Sequence, residues 1–124
     1  IFLAIMGEVS QEIIQLSSLI KNVIVSNFEQ ELFSRVFVKS STGFYKTQND
    51  LPNGATVPAI KMMLENASPL PVKAAGGVRT YGEAIEMIEV EKENTHRYRD
   101  FYIIFSFLFR CDFCSGYYKR YGSI

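Results

Sequence analysis

Two stretches decide the fold: VFVKSSTGFY, Val36 to Tyr45, and PVKAAGGVRT, Pro71 to Thr80. In each, a short apolar run stops at a lysine, and small polar residues or glycines follow. Runs of this kind read as buried strands, so Lys39 and Lys73 close two consecutive strands. The lysines stand 34 residues apart, in line with a strand–helix unit of about 30 residues or more. In a parallel α/β sheet, or at the top of a (β/α)8 barrel, the C-terminal strand edge carries the active site. An ammonium there is expensive unless it is used.

The flanking sequence fits that frame. Phe2 to Met6 is a further apolar run, broken by Gly7. Ser10 is expected to cap a helix with Glu12 in its first turn, and Ile13, Leu16, Ile20, Val23 and Ile24 recur at helical spacing. Ser26 to Glu31 reads as a loop or a short extra turn. After a polar loop from Ser40 to Pro52, Thr56 and Pro58 open a second helix with Ile60, Met63 and Leu64 on its buried side. Thr80 and Glu83 match a capping box ahead of a third helix lined by Ala84, Ile85, Met87 and Ile88. Strand and helix thus alternate three times, and the strands lack polar alternation. That predicts an α/β fold with a parallel sheet, either doubly wound or a (β/α)8 barrel.

The 124 residues suffice for one domain with a core, and 48% hydrophobic with 21% charged content reads as soluble and globular. Thirteen basic and thirteen acidic residues cancel, so the composition points away from nucleic acid and from anionic membranes. No apolar run approaches the ~20 residues needed to span a bilayer. IFLAIMGEVS lacks the basic region and cleavage site of a signal peptide and does not read as one, and the start at Ile1 rather than Met leaves room for a missing upstream segment. Cys111 and Cys114 form one C-x-x-C, half of a usual zinc ligand set and outside the strand-then-helix setting of a redox motif. A reducing, cytoplasmic setting is the default.

If the two lysine strands are neighbours, the ammonium groups repel each other in a partly dry site, and both effects lower a lysine pKa. A neutral amine attacks carbonyls, so the chemistry suggested is Schiff-base catalysis with one lysine as nucleophile and the other tuning it. The plain alternative is that both lysines run from strand ends to water. Gly76 and Gly77 follow Lys73 directly, and Arg79 precedes a helix N-terminus. Backbone N–H groups, a helix start and a guanidinium suit an anion, which implies a phosphorylated substrate. Gly43 offers a second close approach. By itself a Gly-Gly pair marks only a turn.

FVKSSTGF, NGATVPAIKMM and VKAAGGVRTYGEAIEMI together resemble the second half of deoxyribose-phosphate aldolase, from about Phe2 to Ile88 and most densely from Phe37 onward. The resemblance implies a (β/α)8 barrel, with the three units here as its fifth to seventh. It implies a cofactor-free class I aldolase that cleaves 2-deoxyribose 5-phosphate reversibly to acetaldehyde and glyceraldehyde 3-phosphate. The family's Schiff-base lysine falls on Lys39. Its second lysine, which tunes the first and joins the proton relay, falls on Lys73. Phosphate contacts fall on Gly43, Gly76, Gly77 and Arg79. The implied partners are phosphosugar and aldehyde substrates, and a homo-oligomer is compatible with the sequence. A barrel takes about 250 residues, so 124 residues are expected to be an incomplete copy. The family's relay aspartate has no match here.

Residues 1–89 are therefore expected to form a partial barrel domain and residues 90–124 an atypical tail. The tail holds five of the ten phenylalanines and five of the seven tyrosines, without a clean period. Back-translated with free codon choice and shifted by one base, THRYRDF (Thr95 to Phe101) can spell RIGIGTS, which is like the glycine-rich eighth strand of the family. A frameshift between Val90 and Asn94 is expected on that ground, leaving His96 and the C-x-x-C without a role. The plain alternative is a last strand and helix packed on the core. Two other functions compete with the aldolase. One is another phosphate-binding (β/α)8 sugar-phosphate enzyme, which would not need both lysines. The other is a non-catalytic truncated product whose open sheet edges associate.

Overall fold

The computed structural model describes residues 1–7, 9–42, 46, 48, 54–94 and 101–103. Its elements alternate: β1 (Phe2–Ala4), α1 (Ser10–Asn27), a 3-10 helix (Gln30–Arg35), β2 (Phe37–Lys39), α2 (Val57–Ala67), β3 (Val72–Ala74), α3 (Tyr81–Asn94) and β4 (Phe101–Ile103). The strands form one sheet in the order β1-β2-β3-β4, and every pairing is parallel. The order runs in one direction. A doubly wound sheet reverses its strand order at a switch point, and these four strands do not.

Alternation along each strand sorts the side chains into two faces. Val38, Val72 and Ala74 are fully buried. They join Ile60, Met63, Leu64 and Ala67 of α2 in one core, so this face of the sheet carries the helices. Phe2, Phe37, Lys39 and Lys73 take the opposite parity and belong to the other face. The helix α2 packs against both α1 and α3 and lies at the centre of the helical layer.

The helices follow their local chemistry, with three departures from the expected pattern. Val9 rather than Ser10 holds the N-cap position of α1. Valine has no acceptor to offer, and the Glu12 carboxylate reaches back instead to accept from the Val9 N–H at 3.5 Å. The buried stripe of α1 runs through Ile13, Ser17 and Ile24, flanked by Leu16 and Ile20. Val23 falls off its edge and is 49% exposed. The segment after α1 is also more regular than a loop: its 3-10 helix continues to Arg35. In α2, the Thr56 hydroxyl accepts from the Ala59 N–H at 3.3 Å, with Pro58 in the first turn. Before α3, the Thr80 hydroxyl accepts from the Glu83 N–H at 3.2 Å, and the Glu83 carboxylate accepts from the Thr80 N–H at 2.9 Å. That reciprocal pair is a capping box.

Helix α3 crosses residue 89 and ends at Asn94, and β4 extends the sheet with backbone from the tail. Within the tail, the C-x-x-C and His96 lie outside the described residues. No helix among the described residues is long and apolar enough to cross a membrane.

Candidate functional site

Lys39 and Lys73 are register partners across β2 and β3. Adjacent strands run about 4.8 Å apart, so the two side chains leave the sheet side by side on one face. Their surroundings differ. Lys39 is partly exposed, whereas Lys73 is 3% exposed. The Lys73 ammonium lies 3.5 Å from the centroid of the Phe2 ring. Phe2 in turn leans on Phe37, its register partner, with ring centroids 5.2 Å apart. Burial is the main cause that pushes the Lys73 pKa below its ordinary value, and the Lys39 charge pushes the same way.

The loops leaving the two lysine strands are tied together. The Ser40 N–H donates to the Lys73 carbonyl at 3.1 Å, prolonging the ladder one step. The Ser40 hydroxyl then accepts from the Ala75 N–H at 2.9 Å and donates to the Ala75 carbonyl at 2.7 Å. One buried hydroxyl thus fixes the residue after the first lysine to the residue two beyond the second.

The Gly76-Gly77 turn needs its glycines. Gly76 sits at φ 86° and Gly77 at φ 83°, the left-handed region that L side chains avoid. A third glycine closes the site from the start of α2. Gly54, at φ 82°, passes so near that a Cβ there would lie 2.6 Å from the Gly76 carbonyl oxygen. The next residue, Ala55, donates its N–H to that same oxygen at 2.7 Å. The loop after β3 is therefore held by Ser40 on one side and by Gly54 and Ala55 on the other.

The start of α3 is already partly spoken for. Glu83 accepts from the Arg79 N–H at 2.7 Å as well as from Thr80, and these bonds hold its carboxylate below the ordinary range. Arg79 itself is exposed, with its charge close enough to Glu83 to contribute to that depression. Gly43 lies outside the described residues.

The arrangement can support carbonyl chemistry: paired amines at the C-terminal strand edge, one of them dry, beside a glycine turn. Three contributors carried no advance signal of their role. Ser40 is one of two adjacent serines, and nothing in the sequence distinguishes it from Ser41. Gly54 reads as an ordinary loop glycine before a helix. Phe2 reads as core.

A parallel, singly wound α/β sheet with lysines at neighbouring strand ends defines a class of protein, and comparison with known proteins narrows it. A stretch of 54 residues is 50% identical to deoxyribose-phosphate aldolase of Thermococcus kodakarensis, covering 43% of this chain and 21% of that protein. The deoxyribose-phosphate aldolase of Clostridium kluyveri is 49% identical over 53 residues, 42% of this chain and 22% of that protein. That of Cyanothece sp. is 29% identical over 76 residues, 60% and 33% respectively. No family model matches the chain, and no solved structure does. The chain thus resembles deoxyribose-phosphate aldolases over part of its length, and spans between about a fifth and a third of the curated relatives it matches.

Proposed function

We propose that these residues are the lysine-bearing part of a deoxyribose-phosphate aldolase. The observation that carries the proposal is the Lys39–Lys73 register pair at the C-terminal edge of the parallel sheet. The partial likeness to named aldolases supports it. In this assignment the strands belong to a (β/α)8 barrel whose other strands these residues do not supply, and the enzyme works in the cytoplasm without a cofactor.

Lys39, as the neutral amine, attacks the C1 aldehyde of open-chain 2-deoxyribose 5-phosphate. Water leaves, and a protonated Schiff base remains. Loss of the C3 hydroxyl proton breaks the C2–C3 bond and releases glyceraldehyde 3-phosphate. The electron pair of that bond passes to the iminium, leaving an enamine on Lys39. Protonation at C2 and hydrolysis free acetaldehyde and regenerate the amine. Lys73 stays cationic, sets a like charge beside Lys39, and takes part in the proton transfers. Gly76 and Gly77, with Gly43 and Arg79, hold the phosphate. Catalytic groups act as a unit, and no residue here supplies the relay carboxylate. Turnover by the 124 residues alone is therefore expected to be small or nil.

Reductive trapping tests the assignment. The chain is incubated with acetaldehyde or deoxyribose 5-phosphate, reduced with borohydride, and mapped by peptide mass spectrometry. The expected adduct is on Lys39, absent in Lys39→Met and lost in Lys73→Leu. No adduct, or adducts spread over every exposed lysine, would overturn it.

A further inference from the structure

We propose that Phe2 is a positioning residue that keeps the buried Lys73 side chain cationic by holding its ammonium against the aromatic face, leaving Lys39 as the amine that attacks the carbonyl. The two lysines are inequivalent in a way that poses a problem. Lys73 is the more deeply buried, at 3% exposure, and a dry lysine facing another lysine tends to shed its proton. A Lys73 that did so would no longer present a fixed charge to Lys39. The geometry supplies a counterweight. The Phe2 ring lies 3.5 Å from the Lys73 nitrogen, well inside the ~6 Å reach over which a ring quadrupole attracts a cation.

The ring also rests against Phe37, with centroids 5.2 Å apart, so swinging off the ammonium would give up that contact. Phe2 is also 46% exposed. Lys39 on β2 opposes the charge of Lys73. On the β1 side, Phe2 is the group that favours the charge. The electrostatic contact stands on geometry alone, while its catalytic consequence rests on the aldolase assignment.

The test is a titration by NMR of the full chain, with lysine labelled at Cε and the Lys73 signal assigned by its loss in Lys73→Met. Pentafluorophenylalanine at position 2 keeps the shape of the ring and reverses its quadrupole, and Phe2→Leu removes the ring. Both are expected to increase the acid dissociation constant of Lys73 about tenfold, and Phe2→Trp to leave it unchanged or lower it. Should Phe2→Leu fail to fold, the fluorinated side chain decides alone. A Lys73 midpoint unchanged by fluorination overturns the proposal. Trapping on the same variants reads the consequence, with the Lys39 adduct expected to be lost once the neighbouring charge is gone. Adducts that stay on Lys39 while the midpoint falls would overturn the positioning role. A wild-type chain that traps at neither lysine would overturn the aldolase assignment, and the titration would still decide the contact.

Discussion

Gly54→Ala is the substitution on which the geometry of the site can be tried most severely. Gly54 has φ 82°, and a Cβ built on it would meet the Gly76 carbonyl oxygen at 2.6 Å and the Ala75 carbonyl oxygen at 2.7 Å. Both contacts are to backbone, so no flexible side chain can give way. The left-handed backbone costs an alanine about 1 kcal/mol. Forcing two carbonyls aside costs about 1–3 kcal/mol more, on the scale of overpacking. The Ala55–Gly76 hydrogen bond at 2.7 Å is lost or stretched, adding about 1 kcal/mol. The sum is about 3–5 kcal/mol, a large share of the total stability of a domain this size.

Equilibrium unfolding in urea measures it. At a slope of about 1.5 kcal/mol per molar, the midpoint should fall by about 2–3 M. Gly76→Ala calibrates the result. Its Cβ would meet the Ser41 Cβ at 3.0 Å, a milder overlap than the 2.6 Å contact at Gly54. Its cost should be smaller, about 1–3 kcal/mol. A Gly54→Ala cost below about 1 kcal/mol, or one smaller than that of Gly76→Ala, would refute the close packing of the two loops.

Two further predictions concern the helices. Ser17 on α1 is fully buried, and its hydroxyl has no hydrogen-bond partner among the described residues, so Ser17→Ala should stabilise the fold by about 1 kcal/mol and raise Tm by about 4 °C in a thermal melt. Glu83 has its folded pKa depressed by the Arg79 and Thr80 N–H groups, so the unfolded chain binds more protons between the folded value and the ordinary 4.5. Its stabilising contribution is complete above pH 4.5 and disappears as pH falls through the folded value. The gap in Tm between wild type and Glu83→Gln should accordingly be present at pH 7 and closed near pH 2. A gap that persists in acid would mean that the carboxylate charge is not what holds the cap.

Local signals made much of this legible. The apolar runs ending in Lys39 and Lys73 are strands, and Thr56, Pro58, Thr80 and Glu83 open helices because capping needs only residues three or four apart. Short apolar runs do not state how they pair. The single direction of strand order, and with it the Lys39–Lys73 adjacency, comes from tertiary packing. The hydroxyl of Ser40 is chosen over that of Ser41 by which one points across to Ala75, 35 residues away. Gly54 is constrained by Gly76, a contact between loops that no local pattern encodes. Val9 shows the reverse limit. A serine one position later looked like the better cap, but the chain turned earlier and Glu12 compensated.

Sequence likeness and burial do not pick the same lysine, and the disagreement is chemically informative. In the proposed aldolase assignment Lys39 is the nucleophile, whereas burial and then repulsion by Lys39 lower the pKa of Lys73. A nucleophilic lysine must be neutral to attack, and it must then carry a substrate carbon and the water it expels. Lys73, at 3% exposure and beneath an aromatic ring, has little room for either, while the partly exposed Lys39 has both. Dryness alone therefore does not make a nucleophile. The better division of labour leaves the enclosed ammonium charged, as a fixed source of repulsion, and lets the accessible amine react. That division requires the enclosed charge to be held against its own desolvation, and the face of Phe2 is placed to hold it.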